Sequence, residues 1–129
     1  DFDDMLQKLI ELNVSDNGRY PWNDNGSGRL FADVYKDIAR YVPERKKWYV
    51  YDGTRWIPDI GGLKTMELAK SLADSLVRYA LTITDERRRK DYLEYSAKWQ
   101  SRNYRNTYIS DARVCIRLQC LSSTAMFIT

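Results

Sequence analysis

The 129-residue sequence predicts an α+β fold, a small antiparallel β-meander or hairpin over about residues 40–59 packed on a mainly helical domain of four to five helices. Three observations predict it. Apolar residues recur at helical spacing on both sides of that stretch. Within it the period drops to two around an Asp52-Gly53 turn. A chain of this length also hides about two-thirds of its unfolded surface, enough for one core without staples.

The elements follow in order. Phe2, Met5, Leu6, Leu9 and Ile10 recur at helical spacing, as a short amphipathic helix or the tail of a linker. Ser15 to Gly28 (SDNGRYPWNDNGSG) is dense in Gly, Asn, Asp, Ser and Pro and predicts a loop. A second helix is expected from about Gly28 to Ala39, burying Leu30, Phe31, Val34, Tyr35 and Ile38. From Arg40 the period is two. Tyr41-Val42 before Pro43 suits a strand end, and Glu44 to Lys47 makes a charged turn.

Trp48–Val50 and Thr54–Ile57 are the hairpin strands, with Trp48, Asp52, Gly53 and Trp56 as its structural residues. Two registers are open. A two-residue Asp-Gly turn pairs Trp48 with Ile57 and places Trp56 on the face opposite Trp48. A three-residue loop over Tyr51–Gly53 pairs Trp48 with Trp56 and is the favoured reading, leaving Tyr49, Arg55 and Ile57 on the other face. One face must be buried, because a bare hairpin is marginal in water. The indoles then serve as core, while Tyr49 on the far face is the better placed to stack on a nucleobase.

Three further helices are expected. The first, about Thr65 to Thr82, carries Leu68, Leu72, Leu76, Ala80 and Ile83, with Ala69 and Ala73 beside them. Thr84 is the expected N-cap of the next, which runs to about Arg102 with Tyr92, Tyr95, Ser96 and Trp99 on one side. The last spans about Thr107 to Leu121, with Ile109, Ala112, Ile116 and Cys120 in line. Val114, Cys115 and Leu118 add apolar surface elsewhere on it.

Charge is unevenly spread. Residues 1–60 hold nine Lys/Arg against eleven Asp/Glu, whereas residues 61–129 hold twelve against seven. Residues 87–117 alone carry nine basic and three acidic side chains. The plain account is a solvated helix laced by pairs such as Arg87–Asp91 and Glu94–Lys98. The remaining surplus suits a nucleic-acid backbone. The candidate contacts are Arg87, Arg88, Arg89, Lys98, Arg102 and Arg105, with Tyr49 and Tyr104 as stacking surfaces.

Much chemistry is excluded. The chain has no histidine, which removes Ser-His-Asp and Cys-His nucleophiles and every histidine metal site. Cys115 and Cys120 are five apart and not a CxxC pair, so they read as reduced cysteines on a helix. Asp33 and Asp37, four apart, are read as exposed acids rather than a cation site. Gly26-Ser27-Gly28 precedes a helix and could present amides to an anion, but the chain lacks a phosphate loop. No apolar run approaches the ~20 residues of a membrane span. No catalytic or metal site is expected.

Several segments resemble one family. NDNGSGRLF (Asn23 to Phe31) is similar to the opening of the domain that precedes the helicase in phage and plasmid primase-helicases. Their relatives include the poxvirus uncoating and replication helicase. RYVPERKKWYVYDGTRWIPD (Arg40 to Asp59) resembles that family's hairpin. Leu68-Ala69-Lys70 and the stretch Tyr95 to Arg113 resemble its following helices. The likeness covers about residues 23–118.

This resemblance implies a non-catalytic accessory domain of a DNA replication protein, contacting single-stranded or forked DNA during initiation in the bacterial host cytoplasm. Residues 1–22 would be an N-terminal helix or linker, 23–121 the domain, and 122–129 the start of a linker to a superfamily-three helicase domain. ATP and magnesium are expected only in that helicase domain. Other partners are the rest of the replication protein and further copies of the chain, and no membrane. The alternative is a protein–protein collar or oligomerisation module of the same protein, with the apolar last helix as contact.

Overall fold

The computed structural model describes the backbone of residues 2–120 and the side chains of residues 4–113. Five helices and a three-stranded antiparallel sheet give the expected α+β class. In order they are α1 (Phe2–Leu12), α2 (Asp24–Val34), β1 (Ala39–Val42), β2 (Lys47–Tyr51), β3 (Trp56–Pro58), α3 (Leu63–Ala80), α4 (Glu86–Ala97) and α5 (Arg102–Cys120). Short 3-10 turns, Ile60–Gly62 and Lys98–Gln100, lead into α3 and out of α4.

Within residues 1–22, Phe2–Leu12 form a helix, α1. It packs on α3, and Leu9 and the following Val14 and Tyr20 are buried in the same core as Leu30, Phe31, Leu72, Leu76 and Trp99. Ile10, expected in the buried stripe, is exposed.

α2 begins four residues before the expected start, because Asn23 caps it by accepting from the Gly26 amide at 2.9 Å. It stops at Val34 rather than Ala39. The amides of Ile38 and Ala39 both return to the Tyr35 carbonyl, at 2.9 Å each, and turn the chain into β1. Ile38, expected in the buried stripe, is consequently exposed.

The sheet is a β1-β2-β3 meander, and its second register matches neither sequence reading. Tyr51 pairs with Trp56 and Val50 with Ile57. The Asp52 carboxylate closes a four-residue loop, accepting from the amides of Thr54 at 2.8 Å and Arg55 at 2.9 Å. The same two amides hold this exposed carboxyl below its ordinary range. The longer loop moves Trp56 to the face opposite Trp48. Ala39, Trp48 and Val50 then join the main core, whereas Val42, Tyr49 and Trp56 form a second cluster on the outer face. Both indoles are buried, on opposite sides of the sheet.

α3 starts two residues early, since buried Asp59 gathers its first turn. It accepts from the Lys64 amide (3.0 Å), the Thr65 amide (2.8 Å) and the Thr65 hydroxyl (2.6 Å). The N-cap of α4 is Asp85, not Thr84, with its carboxylate accepting from the Arg88 amide at 2.9 Å. The break between α4 and α5 falls at residues 98–101, where Ser101 is extended, so α5 begins five residues before the expected Thr107. The expected apolar positions Val114, Cys115, Ile116, Leu118 and Cys120 lie outside the described side chains, and residues 122–129 outside the described chain.

α2 packs chiefly on α5, and Gly28 is what permits it. A β-carbon there would stand 2.8 Å from Asp111 Cβ and 2.9 Å from the Tyr108 carbonyl oxygen. The glycines of the Gly-Ser-Gly run thus serve close packing. Among the described residues, no helix is long and apolar enough to cross a membrane.

Candidate nucleic-acid interface

On α5, Arg102, Asn106, Ile109 and Arg113 recur at intervals of four, three and four residues, so they share one helical face. Leu63, Met66 and Lys70 recur likewise on α3. Between these two faces lies a groove of about 430 Å³, with Trp48 and the Gly61-Gly62 turn completing its lining. Among the described residues its charged lining consists of Lys70, Arg102 and Arg113, all exposed cations, with no carboxylate.

Two buried groups, Trp48 and Arg105, stand beside these cations. Trp48 is only 5% exposed, and its indole Nε1–H, a buried donor, has no acceptor among the described residues. Arg113 holds its guanidinium 5.0 Å from the centre of the Tyr41 ring, which in turn packs edge-on against Trp48. Arg105 stands behind the wall. It is 7% exposed, donates from Nη1 to the Trp99 carbonyl oxygen at 2.9 Å, and places Nε 3.4 Å from the groove-lining Met66 Sδ. Among the described residues no carboxylate pairs with it. A buried cation with no carboxylate partner among the described residues, behind three exposed ones, adds to the positive potential at the groove.

The structure does not bring the sequence-predicted residues into one strip. Arg102 lines the groove, whereas Arg105 is buried behind it. Arg88 donates from Nη2 to the Ser15 carbonyl at 3.0 Å, and Arg89 from Nη1 to the Ile83 carbonyl at 3.0 Å. Both tie α4 to neighbouring loops, although Arg88, like Arg87 beside it, is exposed. Neither Arg87–Asp91 nor Glu94–Lys98 closes into an ion pair among the described residues.

Lys98 and Tyr104 line a different depression, of about 460 Å³, together with Asp24 and Asp111, whose charge opposes a phosphate. Tyr104 is half-buried with its hydroxyl 2.8 Å from Ser27 Oγ, and burial raises its pKa. Tyr49, the expected stacking surface, is 6% exposed beneath Arg45, which donates from Nη1 to its hydroxyl at 2.8 Å. The Arg45 guanidinium also lies 5.5 Å from the centre of that ring. Arg40 covers Trp56 similarly, 5.2 Å from its ring.

Lys70, Asn106 and Arg113 are groove residues that the sequence reading did not select. The signal was present in the spacing of Arg102, Asn106 and Arg113, but their meeting with Lys70 depends on how α3 and α5 pack. Among the described residues no group of three or more potential metal ligands occurs.

Compared with known proteins, the chain matches the family model described as D5 N terminal like over residues 28–127. No curated protein and no solved structure matches it.

Proposed function

This chain belongs to the D5 N-terminal-like family, the N-terminal domain of primase-helicase proteins, and from that premise we propose that it is a non-catalytic accessory domain that contacts DNA. The supporting observation is the groove between α3 and α5, where Lys70, Arg102 and Arg113 converge with no lining carboxylate among the described residues. Cations so placed neutralise backbone phosphates and release condensed counterions, which binds DNA without reading its sequence. The buried Arg105 strengthens the same preference.

In this reading the domain guides a single-stranded or forked DNA toward the motor or primase of its replication protein, in a phage or mobile element replicating in the bacterial cytoplasm. It uses no cofactor itself; ATP and magnesium serve the motor domain. Its other partners are the rest of that protein and further copies of the chain.

Fluorescence anisotropy with a labelled single strand tests the proposal. Lys70→Ala, Arg102→Ala and Arg113→Ala combined should weaken binding by on the order of tenfold or more, with the unfolding midpoint unchanged. Equal affinity of the triple variant and the wild type would refute it.

A further inference from the structure

Beside the groove, the chain displays apolar side chains in water. Ile60 is 83% exposed and Leu63 71%, and no other large apolar residue among the described residues exceeds 65%. Two glycines in the left-handed region, Gly61 at φ +71° and Gly62 at φ +69°, form the turn between them. The turn is braced from below. The Gly62 amide donates to the Asp59 carbonyl at 3.1 Å, and the Asp59 carboxylate holds the first turn of α3 through its three bonds to Lys64 and Thr65. Ile60 and Leu63 thus stand on a stiff tip, and Gly61, Gly62 and Leu63 also line the groove with Lys70, Arg102 and Arg113.

We infer that this Ile60–Leu63 tip is a wedge that abuts the end of a DNA duplex where it opens into single strand, while the adjoining groove takes the phosphates of the departing strand. The inference rests on the DNA-contact reading above and adds a structural preference to it. A duplex end offers the flat, apolar face of its last base pair, flanked by phosphates. An apolar tip joined to a cationic groove complements that pair of features. Continuous duplex keeps its base faces stacked away from such a tip, and single strand alone presents phosphates without a blunt stack. Apolar side chains that enter a base step unstack it.

The test uses the 129-residue chain with a single strand, a blunt duplex and a fork whose last paired base is 2-aminopurine. Wild type should bind the fork about threefold or more tightly than the single strand and brighten the 2-aminopurine by unstacking it. Ile60→Ser, at the most exposed apolar position of the tip and outside the groove lining, should keep single-strand affinity and its salt dependence while losing the fork preference and the brightening. The inference is overturned if the Ile60→Ser variant retains both, or if wild type binds single strand yet shows neither. It is also overturned if wild type self-associates in sedimentation and the Ile60→Ser variant does not, since the tip is then a protein contact. Failure of every probe to bind would remove the DNA-contact reading together with the wedge.

Discussion

Arg105 donates from Nη1 to the carbonyl oxygen of Trp99 at 2.9 Å, and so spans the break between α4 and α5 from inside the core. Arg102, one turn earlier, stands exposed at the groove. The two arginines should therefore separate in experiment. Arg105→Ala removes a charge-assisted bond and buried packing, and should cost about 2–3 kcal/mol in denaturant unfolding. Arg102→Ala should stay within about 0.5 kcal/mol of wild type and lose DNA affinity instead.

Gly28 should be the least replaceable glycine of the α2–α5 contact. Gly28→Ala forces a methyl against backbone of α5, with an expected loss of roughly 1–3 kcal/mol. Gly18→Ala, where the new atom meets only Asp16 Oδ1 at 3.4 Å, should change stability by less than about 0.5 kcal/mol. Thermal melts of the two variants side by side check this, and equal losses would contradict the packing account.

Asp59→Ala should destabilise the chain by roughly 1–2 kcal/mol, through loss of the bonds that start α3. Asp59→Asn keeps one acceptor oxygen and should recover part of that loss. Urea midpoints of the two variants measure the difference.

Folding also protects tyrosine protons. Burial raises the hydroxyls of Tyr35, Tyr92, Tyr95 and Tyr108 above their ordinary 10.0. The unfolded chain gives up these protons above that pH while the folded chain keeps them. Their contribution is therefore complete below pH 10 and falls as pH rises, by about 1.4 kcal/mol per pH unit for each such tyrosine. The urea midpoint should hold steady from neutrality to about pH 9 and drop steeply by about pH 11. A flat profile would show that these hydroxyls titrate freely in the folded chain.

The helices were legible because their apolar residues repeat at 3.6, and the hairpin because Asp52-Gly53 interrupts a period of two. The register was not legible, since both faces of this sheet are apolar. Val42, Tyr49 and Trp56 bury one side much as Trp48 and Val50 bury the other, so alternation could not say which indole faces the helices. The loop length was set by the Asp52 carboxylate reaching two amides, and a dipeptide signal does not carry that information.

The break at Ser101 was hidden by aromatic residues that continue through it. Trp99, Tyr104 and Tyr108 pack on one another across the boundary, and no Gly or Pro marks the change of axis. The basic surplus was visible, but its destination was not. Composition counts Arg88, Arg89 and Arg105 with the rest, whereas the fold commits each of them to a backbone carbonyl. The groove recruits Lys70 from α3 instead, a convergence across helices distant in sequence.

Most directly, the logarithm of the single-strand association constant should be plotted against the logarithm of salt concentration for wild type and for the Lys70→Ala, Arg102→Ala, Arg113→Ala variant. Each phosphate neutralised on a single strand contributes about 0.7 to the slope, so removing three cations should flatten it by about 2. Two parallel lines would mean that phosphates do not sit between α3 and α5.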